Sequence, residues 1–268
     1  MTLTWLGPLE RRLSRARGLA GIARSLVIYY GGRRRHRGMD RLHRLFVRRG
    51  DLVFDVGSHV GDRIASFRRL GAAVVAVEPQ PAACGVVRLL YGRDPSVAIE
   101  PAAVGAAAGE ADLLVNVANP TVSSLSAAFV AAARDAPGWE GQRWERRIRV
   151  PVVTLDELIS RHGAPAFVKL DVEGYEAEAL SGLTRPVAAL SFEFTTIQRA
   201  VARRCLAHCA RLGDYRYNAA LGESQRLVHA RWLSLAEIRA WLDGLPHAAN
   251  SGDVYARLGA AAGLDSAP

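Results

Sequence analysis

Residues 53–61, Val-Phe-Asp-Val-Gly-Ser-His-Val-Gly, constrain this chain more than any other segment. Leu52 to Val56 is a short apolar run rich in strand-forming residues, and it reads as a buried strand. Gly57-Ser58-His59-Val60-Gly61 then makes a tight turn, and Ile64 to Leu70 reads as a helix. Ala73 to Val77 is a second buried strand closed by Glu78, Pro81 to Leu90 a second helix, and Val97 to Val104 a third strand. Strands alternating with helices through short connections specify a parallel sheet covered on both faces, a doubly wound α/β fold.

The pattern continues beyond this unit. Ala111 to Val117 reads as an added strand, Arg147 to Val153 as a strand, and Leu155 to His162 as a helix capped by Thr154 or Asp156. Ala166 to Leu170 is a buried strand, Tyr175 to Ser181 a helix, Val187 to Phe194 a strand and Ile197 to Leu212 a long helix. Tyr215 to Ala219 and Arg226 to Ala230 read as a late antiparallel pair, Ser234 to Leu242 as a capped helix and Asp253 to Leu258 as a last strand. Asn119 to Arg146 lacks periodicity, and a stretch of that length inside a domain is often a lid or substrate loop.

The glycine turn selects the ligand class. Glycines let the backbone approach a ligand and adopt positive φ. Glu78 follows Asp55 by 23 residues, the separation at which an acid in doubly wound folds accepts hydrogen bonds from a ribose. The turn is D-x-G-x-x-x-G rather than the dinucleotide G-x-G-x-x-G, which disfavours a nicotinamide oxidoreductase. An aspartate ahead of the turn repels pyrophosphate and suits an ammonium. S-adenosylmethionine carries an ammonium, a sulfonium and a ribose and no phosphate, so charge favours it. The plain alternative is a structural turn with an incidental Glu78.

These residues resemble the FkbM-type S-adenosylmethionine-dependent methyltransferases. The matching segments are VFDVGSHVGD at 53–62, VVAVEPQP at 74–81, AAVG at 102–105, SSLS at 123–126, VPVVTLDEL at 150–158, FVKLDVEGYEAEALSG at 167–182 and LSFEF at 190–194. The resemblance implies a class I methyltransferase (Rossmann-like) fold, a seven-stranded, mostly parallel sheet with the last strand antiparallel. It implies O-methylation of a hydroxyl, often on a sugar, glycolipid or secondary metabolite. By position, Asp55, Gly57 and Gly61 surround the methionine part of the cofactor, and Glu78 holds the ribose. Ala102 and Ala103 lie near the adenine, Asp171 lies beside the methyl group and acceptor, and Ser58, His59 and Pro79 complete the cofactor set. His59 departs from the small residue or asparagine usual in the family.

Methyl transfer from a sulfonium needs in-line alignment, exclusion of water, and a base for the hydroxyl proton. Lys169, Asp171 and Glu173 alternate around a strand end, which points them to one side. Asp171 is the first choice for base or acceptor orienter, because open α/β sheets bind ligands at the carboxyl ends of strands. Lys169 either lowers the pKa of a neighbouring group or forms an ion pair with Glu173 or Glu176. Glu173 with Gly174 is either part of this chemistry or a helix cap. Asp171 and Glu193, the latter at the end of the fifth strand, together suit Mg²⁺, but a third ligand is missing and no metal site is assigned. His59 is either a base or a scaffold residue, and Ser123 and Ser124 either contact ligand or turn the loop. Cys205, His208 and Cys209 share one helix face; without a partner cluster, packing is the expectation.

The net charge of +9 is unevenly placed. Residues 1–50 hold thirteen arginines against Glu10 and Asp40, a net of +11, and the remainder is at −2. The expected organisation is an arginine-rich helical extension at 1–50, a methyltransferase domain at 51–258 and a flexible tail at 259–268. Within the extension Leu9, Leu13, Ala16, Leu19 and Ala20 form a helical stripe, Gly31-Gly32 breaks it, and Leu42, Leu45 and Phe46 form another. The extension is either a solvated cap packing its apolar stripe on the domain or a basic surface for anionic lipid, an acidic partner, phosphorylated substrate or nucleic acid. An RNA methyltransferase is the alternative, disfavoured by the slightly acidic core and the lack of a (D/N)PP(Y/F) motif. A catalytically inactive cofactor-binding module is another. The expected partner is a small-molecule or glycan hydroxyl acceptor. Three cysteines make no disulfide framework, and neither a secretory signal nor a membrane-spanning helix is expected from the arginine-interrupted apolar stretches. The expected location is cytoplasmic; the basic-surface reading of the extension adds the alternative of peripheral contact at the inner face of the membrane.

Overall fold

Two helices, α1 (Pro8–Tyr30) and α2 (Arg33–His43), precede the sheet in the computed structural model, which describes residues 8–259. The stripe of side chains from Leu9 to Leu19 and the tail beyond Gly259 lie outside the described residues. The chain then alternates: β1 (Leu52–Val56), α3 (Asp62–Arg69), β2 (Ala73–Val77), α4 (Pro81–Tyr91) and β3 (Val97–Glu100). A smaller unit follows, β4 (Ala103–Val104), β5 (Gly109–Val115), α5 (Ala127–Ala133) and β6 (Arg146–Val153). The second half runs α6 (Leu155–His162), β7 (Phe167–Leu170), α7 (Glu176–Ser181), β8 (Ala189–Thr195), α8 (Arg199–Leu212), β9 (Tyr215–Leu221), α9 (Leu235–Gly244) and β10 (Ser251–Leu258).

The main sheet has seven strands in the order β3-β2-β1-β7-β8-β10-β9. Five strands are parallel, and β10 runs antiparallel to both neighbours. The strand order reverses beside β1, so the carboxyl ends of β1 and β7 diverge into a crevice where such sheets bind ligands. Alternate residues of β1 serve the two faces: Phe54 and Val56 join the core on one side, and Val53 joins the other with Val74 and Phe167.

The extension closes the second face. Leu42 and Val47 are buried in the same cluster as Val53, Ile64 and Phe67. The Phe46 ring stacks on Phe167 at 5.0 Å and on Tyr255 at 5.3 Å. Phe46 is half-buried, so its contribution lies below the roughly 1.5–3 kcal/mol of a fully buried apolar side chain. A buried polar chain adds direction to this packing. His43 Nδ1 lies 2.9 Å from Ser66 Oγ, which donates to Asp40 at 2.7 Å, and Arg69 donates to the same carboxylate. Burial pushes the His43 imidazole down to about 3, so it stays neutral.

Two strand expectations are corrected. Val97 to Val104 is not one strand: β3 ends at Glu100, Pro101 lacks an N–H for the ladder, and β4 pairs with β6 in a separate three-stranded sheet. Arg226 to Ala230 is not a strand, and β9 pairs with β10 instead. The wholly buried Asn218 explains the second case. Its Nδ2 donates to the carbonyls of His229 and Arg231 and its Oδ1 accepts from His229 N–H, between the backbone bond of Val228 N–H to Ala219 and the antiparallel bridge Tyr217–Leu233, so the segment follows this edge without forming a continuous strand.

The aperiodic stretch contains local structure. Ser126 caps α5 by accepting from Phe129 N–H, and Phe129, Trp139 and Val122 form their own small core. Cys205 and Cys209 pack in the main core, and His208 meets the Leu183 carbonyl at 2.9 Å, so that helix face serves packing. Among the described residues no helix is long and apolar enough to cross a membrane.

Candidate active site

The glycine turn joins two strand ends. Gly57 has φ 80°, and a Cβ there would lie 1.8 Å from the carbonyl oxygen of Asp171. Only glycine permits that approach. The amides of Gly57 and Ser58 both donate to the Val77 carbonyl, tying the turn to the end of β2. Glu78 sits at that end, 2% exposed. One carboxylate oxygen accepts from His59 N–H at 2.9 Å and the other from Gln80 N–H at 2.7 Å. Burial pushes Glu78 up to about 7 against the pull of these two donors.

A cavity opens between these groups. Gly57, His59, Glu78, Pro79, Ala102 and Ala103 line it, and Asp171 and Glu173 stand on the boundary it shares with a second cavity. Ser58 faces that second cavity. Ser123 lines the first, whereas Ser124 donates to the Glu173 carbonyl at 2.6 Å and holds the turn. Gly61 faces elsewhere. A Cβ there would meet the Tyr91 ring at 2.9 Å, and Tyr30 at the end of α1 donates to the Val60 carbonyl. This glycine makes room for the tyrosines that pin α1 and α4 to the turn.

Several buried polar atoms lack partners among the described residues: both Asp55 carboxylate oxygens, Ser58 Oγ and His59 Nδ1. Asp55 is 1% exposed, and burial pushes it up to about 7, with Arg63 and Lys169 pulling the other way. An orphaned buried carboxylate is costly unless something completes it. Asp55 lines neither cavity, and Glu78 lines the first; an orphaned carboxylate beside the turn and an acid at the cavity wall are chemically suited to the ammonium and ribose of S-adenosylmethionine.

The second cavity is built from charge. Lys169, 2% exposed, donates to Asp171 at 3.1 Å and to Asp253 at 3.0 Å. The expected pairing of Lys169 with Glu173 or Glu176 is thereby replaced. Glu176, the first residue of α7, instead ties the preceding turn, accepting from Val172 N–H and Gly174 N–H. Glu173 leaves the strand alternation with φ 55°. It nevertheless converges with Asp171 and Glu193, one oxygen of each lying within 4.8 Å of the others. Glu193 is not the end of its strand, because β8 continues to Thr195; it lies opposite Asp253 of β10. The third carboxylate absent from the sequence reading of a cation site is thus Glu173, though Lys169 already serves as a cation to Asp171.

The three carboxylates differ in state. Burial pushes Asp171 upward, but Lys169 and Arg63 outweigh it and hold the carboxyl below its ordinary 3.8. Burial and the Asp171 charge push Glu173 well above its ordinary range, and Glu193 rises for the same reasons with Glu173 beside it. Of the three, Asp171 is the one whose ionised form the surroundings favour. His59 has φ 45°, and burial lowers it to about 4, so the ring is neutral beside Thr121 Oγ1 at 3.4 Å.

Four residues of this site escape sequence reasoning. Arg63 of α3 lies 3.0 Å from Asp62, 3.2 Å from Glu223 and 3.9 Å from Asp171. Tyr29 of α1 lines the cavity with its ring edge-on to His59 at 5.9 Å. Glu223 comes from the loop after β9, and Asp253 from β10. Only Arg63 carried a signal, its place just after the glycine turn.

A family model described as the methyltransferase FkbM domain matches residues 55–243. No curated protein matches by sequence. Among solved structures, the chain is similar to a TehB-like SAM-dependent methyltransferase from Corynebacterium glutamicum, at 13% identity and TM-score 0.46, covering 93% of this chain and 100% of that one. It is similar to an O-methyltransferase from Bacillus cereus in complex with SAH, at 11% identity and TM-score 0.45, covering 96% and 94%. A third is the O-methyltransferase TomG from Streptomyces achromogenes, at 11% identity and TM-score 0.40, covering 90% and 89%.

Proposed function

We propose, from the premise that this chain belongs to the FkbM methyltransferase family, that it methylates a hydroxyl of a polyhydroxylated acceptor, such as a sugar, glycolipid or hydroxyl-bearing secondary metabolite. The observation that carries the reading is the pairing of an orphaned carboxylate and Glu78 around the glycine turn with a charged cavity across Asp171. When bound, S-adenosylmethionine supplies an already activated methyl group. The chain's residues then have three tasks.

Glu78 accepts hydrogen bonds from the ribose hydroxyls, its carboxylate fixed by the His59 and Gln80 amides. Asp55 supplies the negative charge for the ammonium. Asp171, kept ionised by Lys169 and Arg63, accepts the hydrogen bond of the acceptor hydroxyl and orients it. Glu173, Glu193, Arg63 and Glu223 offer further donors and acceptors, which matches an acceptor with several hydroxyls and disfavours an apolar one. Lys169 and Arg63 already neutralise Asp171, so the reading is built on the chain's own cations.

Titration with S-adenosylhomocysteine tests the cofactor half, and methyl transfer to a panel of sugars tests the acceptor half. Absence of heat with both the donor and its demethylated product, from folded protein, overturns the reading. Glu78→Ala is expected to weaken S-adenosylhomocysteine binding by about 1–3 kcal/mol, the cost of leaving hydroxyls unpaired. Unchanged affinity would remove the ribose role.

Binding is also expected to respond to pH. Asp55 and Glu78 are both pushed up to about 7 by burial in the free protein. A cation and hydroxyl donors favour their ionised forms, so binding below pH 7 expels protons and affinity rises as pH climbs through 7. Calorimetry in buffers of different ionisation enthalpy reads this proton release; a pH-independent affinity between 5.5 and 7.5 contradicts it.

A further inference from the structure

The exposed face of α2 and the loop after β9 enclose a groove of about 800 Å³. Arg34, Arg37 and Arg41 recur at helical spacing and line it from one side, and Arg226 lines it from the other. All four are exposed, and none makes an ion pair or hydrogen bond among the described residues. The acid in the groove, Glu223, has its charge already matched: it meets Arg35 at 3.0 Å and Arg63 at 3.2 Å. Four like charges around one recess repel each other and focus a positive potential into it. The guanidinium fork fits phosphate oxygens two at a time.

The groove adjoins the acceptor cavity at Glu223. Glu223 lines both, and Arg63, its partner, lines the acceptor cavity 3.9 Å from Asp171. An acceptor with an anionic group on the arginines and a hydroxyl at Asp171 would span the two sites beside Glu223. We propose that the groove binds the phosphate or diphosphate of a sugar phosphate, so that the methyl acceptor is a phosphate-bearing sugar rather than a free one. The inference rests on the O-methyltransferase reading for its last clause, but phosphate binding is measurable without turnover. The recess favours a small ligand over a lipid bilayer, which meets a basic face across a plane rather than inside a groove.

The test is calorimetric titration of the full chain with inorganic pyrophosphate, with and without saturating S-adenosylhomocysteine. Binding is expected in both conditions and is expected to weaken with added salt. The Arg37→Ala/Arg41→Ala double variant is expected to lose about tenfold or more in pyrophosphate affinity, as removal of charged hydrogen bonds does. Its S-adenosylhomocysteine affinity should stay unchanged, which also shows that it folds. Three results overturn the proposal: no pyrophosphate binding by protein that binds S-adenosylhomocysteine, equal binding by the double variant, or displacement of pyrophosphate by S-adenosylhomocysteine. Vesicles of phosphatidylcholine with phosphatidylglycerol form the separate arm; retention on them without pyrophosphate binding assigns the arginines to a membrane surface instead. Arginine-dependent pyrophosphate binding without S-adenosylhomocysteine binding would keep the groove and overturn the cofactor reading.

Discussion

Asp171→Asn is expected to lower kcat about 100-fold or more while S-adenosylhomocysteine affinity stays within about threefold. The substitution keeps the shape of the side chain and removes the charge that orients the acceptor hydroxyl. The fold should tolerate it. Lys169 keeps Asp253 at 3.0 Å, and Arg63 keeps Asp62 and Glu223, so no buried cation is left alone. Methyl-transfer kinetics beside thermal unfolding separate the two effects. Full activity in the variant would dismiss Asp171 from the mechanism, and a collapse of the melting temperature would make its role structural.

Lys169→Met is expected to cost the fold about 3–5 kcal/mol, the usual penalty for removing one partner of a buried ion pair. For a chain of this size that lowers the melting temperature by about 10 °C. Lys169 is 2% exposed and is the cation between Asp171 and Asp253, with Glu193 lying opposite Asp253 in the sheet. The sign with pH follows from the two shifts. Asp171 is held below its ordinary 3.8, so its contribution is present above that value and is lost as pH falls through its folded pKa. Lys169 is raised above its ordinary 10.5, so its contribution is present below that value and is lost at still higher pH. The wild-type advantage therefore spans the whole range between. In the variant Asp171 loses the cation that kept its pKa down, and protonation relieves the repulsion. The deficit is expected to be largest near neutral pH and to shrink toward pH 5. A deficit of under about 2 °C, or one insensitive to pH, would show that the ion pair adds little to stability.

The turn around Gly57 was readable because its determinants are local. A positive φ, an apolar five-residue strand and an acid ending the next strand are all written within 27 residues, 52 to 78. The parallel order of the first strands follows from the same short-range pattern. The split at Pro101 was also written locally, yet the apolar run across it read as one strand because hydrophobic period outweighed the missing N–H. The pairing of β9 was different. It pairs with β10, more than thirty residues on, while the nearer segment is held to its other edge through the side chain of Asn218, which binds backbone eleven and thirteen residues away.

The sequence by itself determined the α/β class, the glycine turn, and the placing of Asp55, Glu78 and Asp171 at strand ends. Short-range sterics and the strand period fix those features wherever the rest of the chain goes. Only the tertiary structure decided which charges meet. It gave Lys169 to Asp171 and Asp253, brought Glu173 and Glu193 to one point, and turned Arg63, Tyr29 and Glu223 toward the same cavity. Coulomb energies and desolvation depend on separations through space, and no spacing along the chain encodes those.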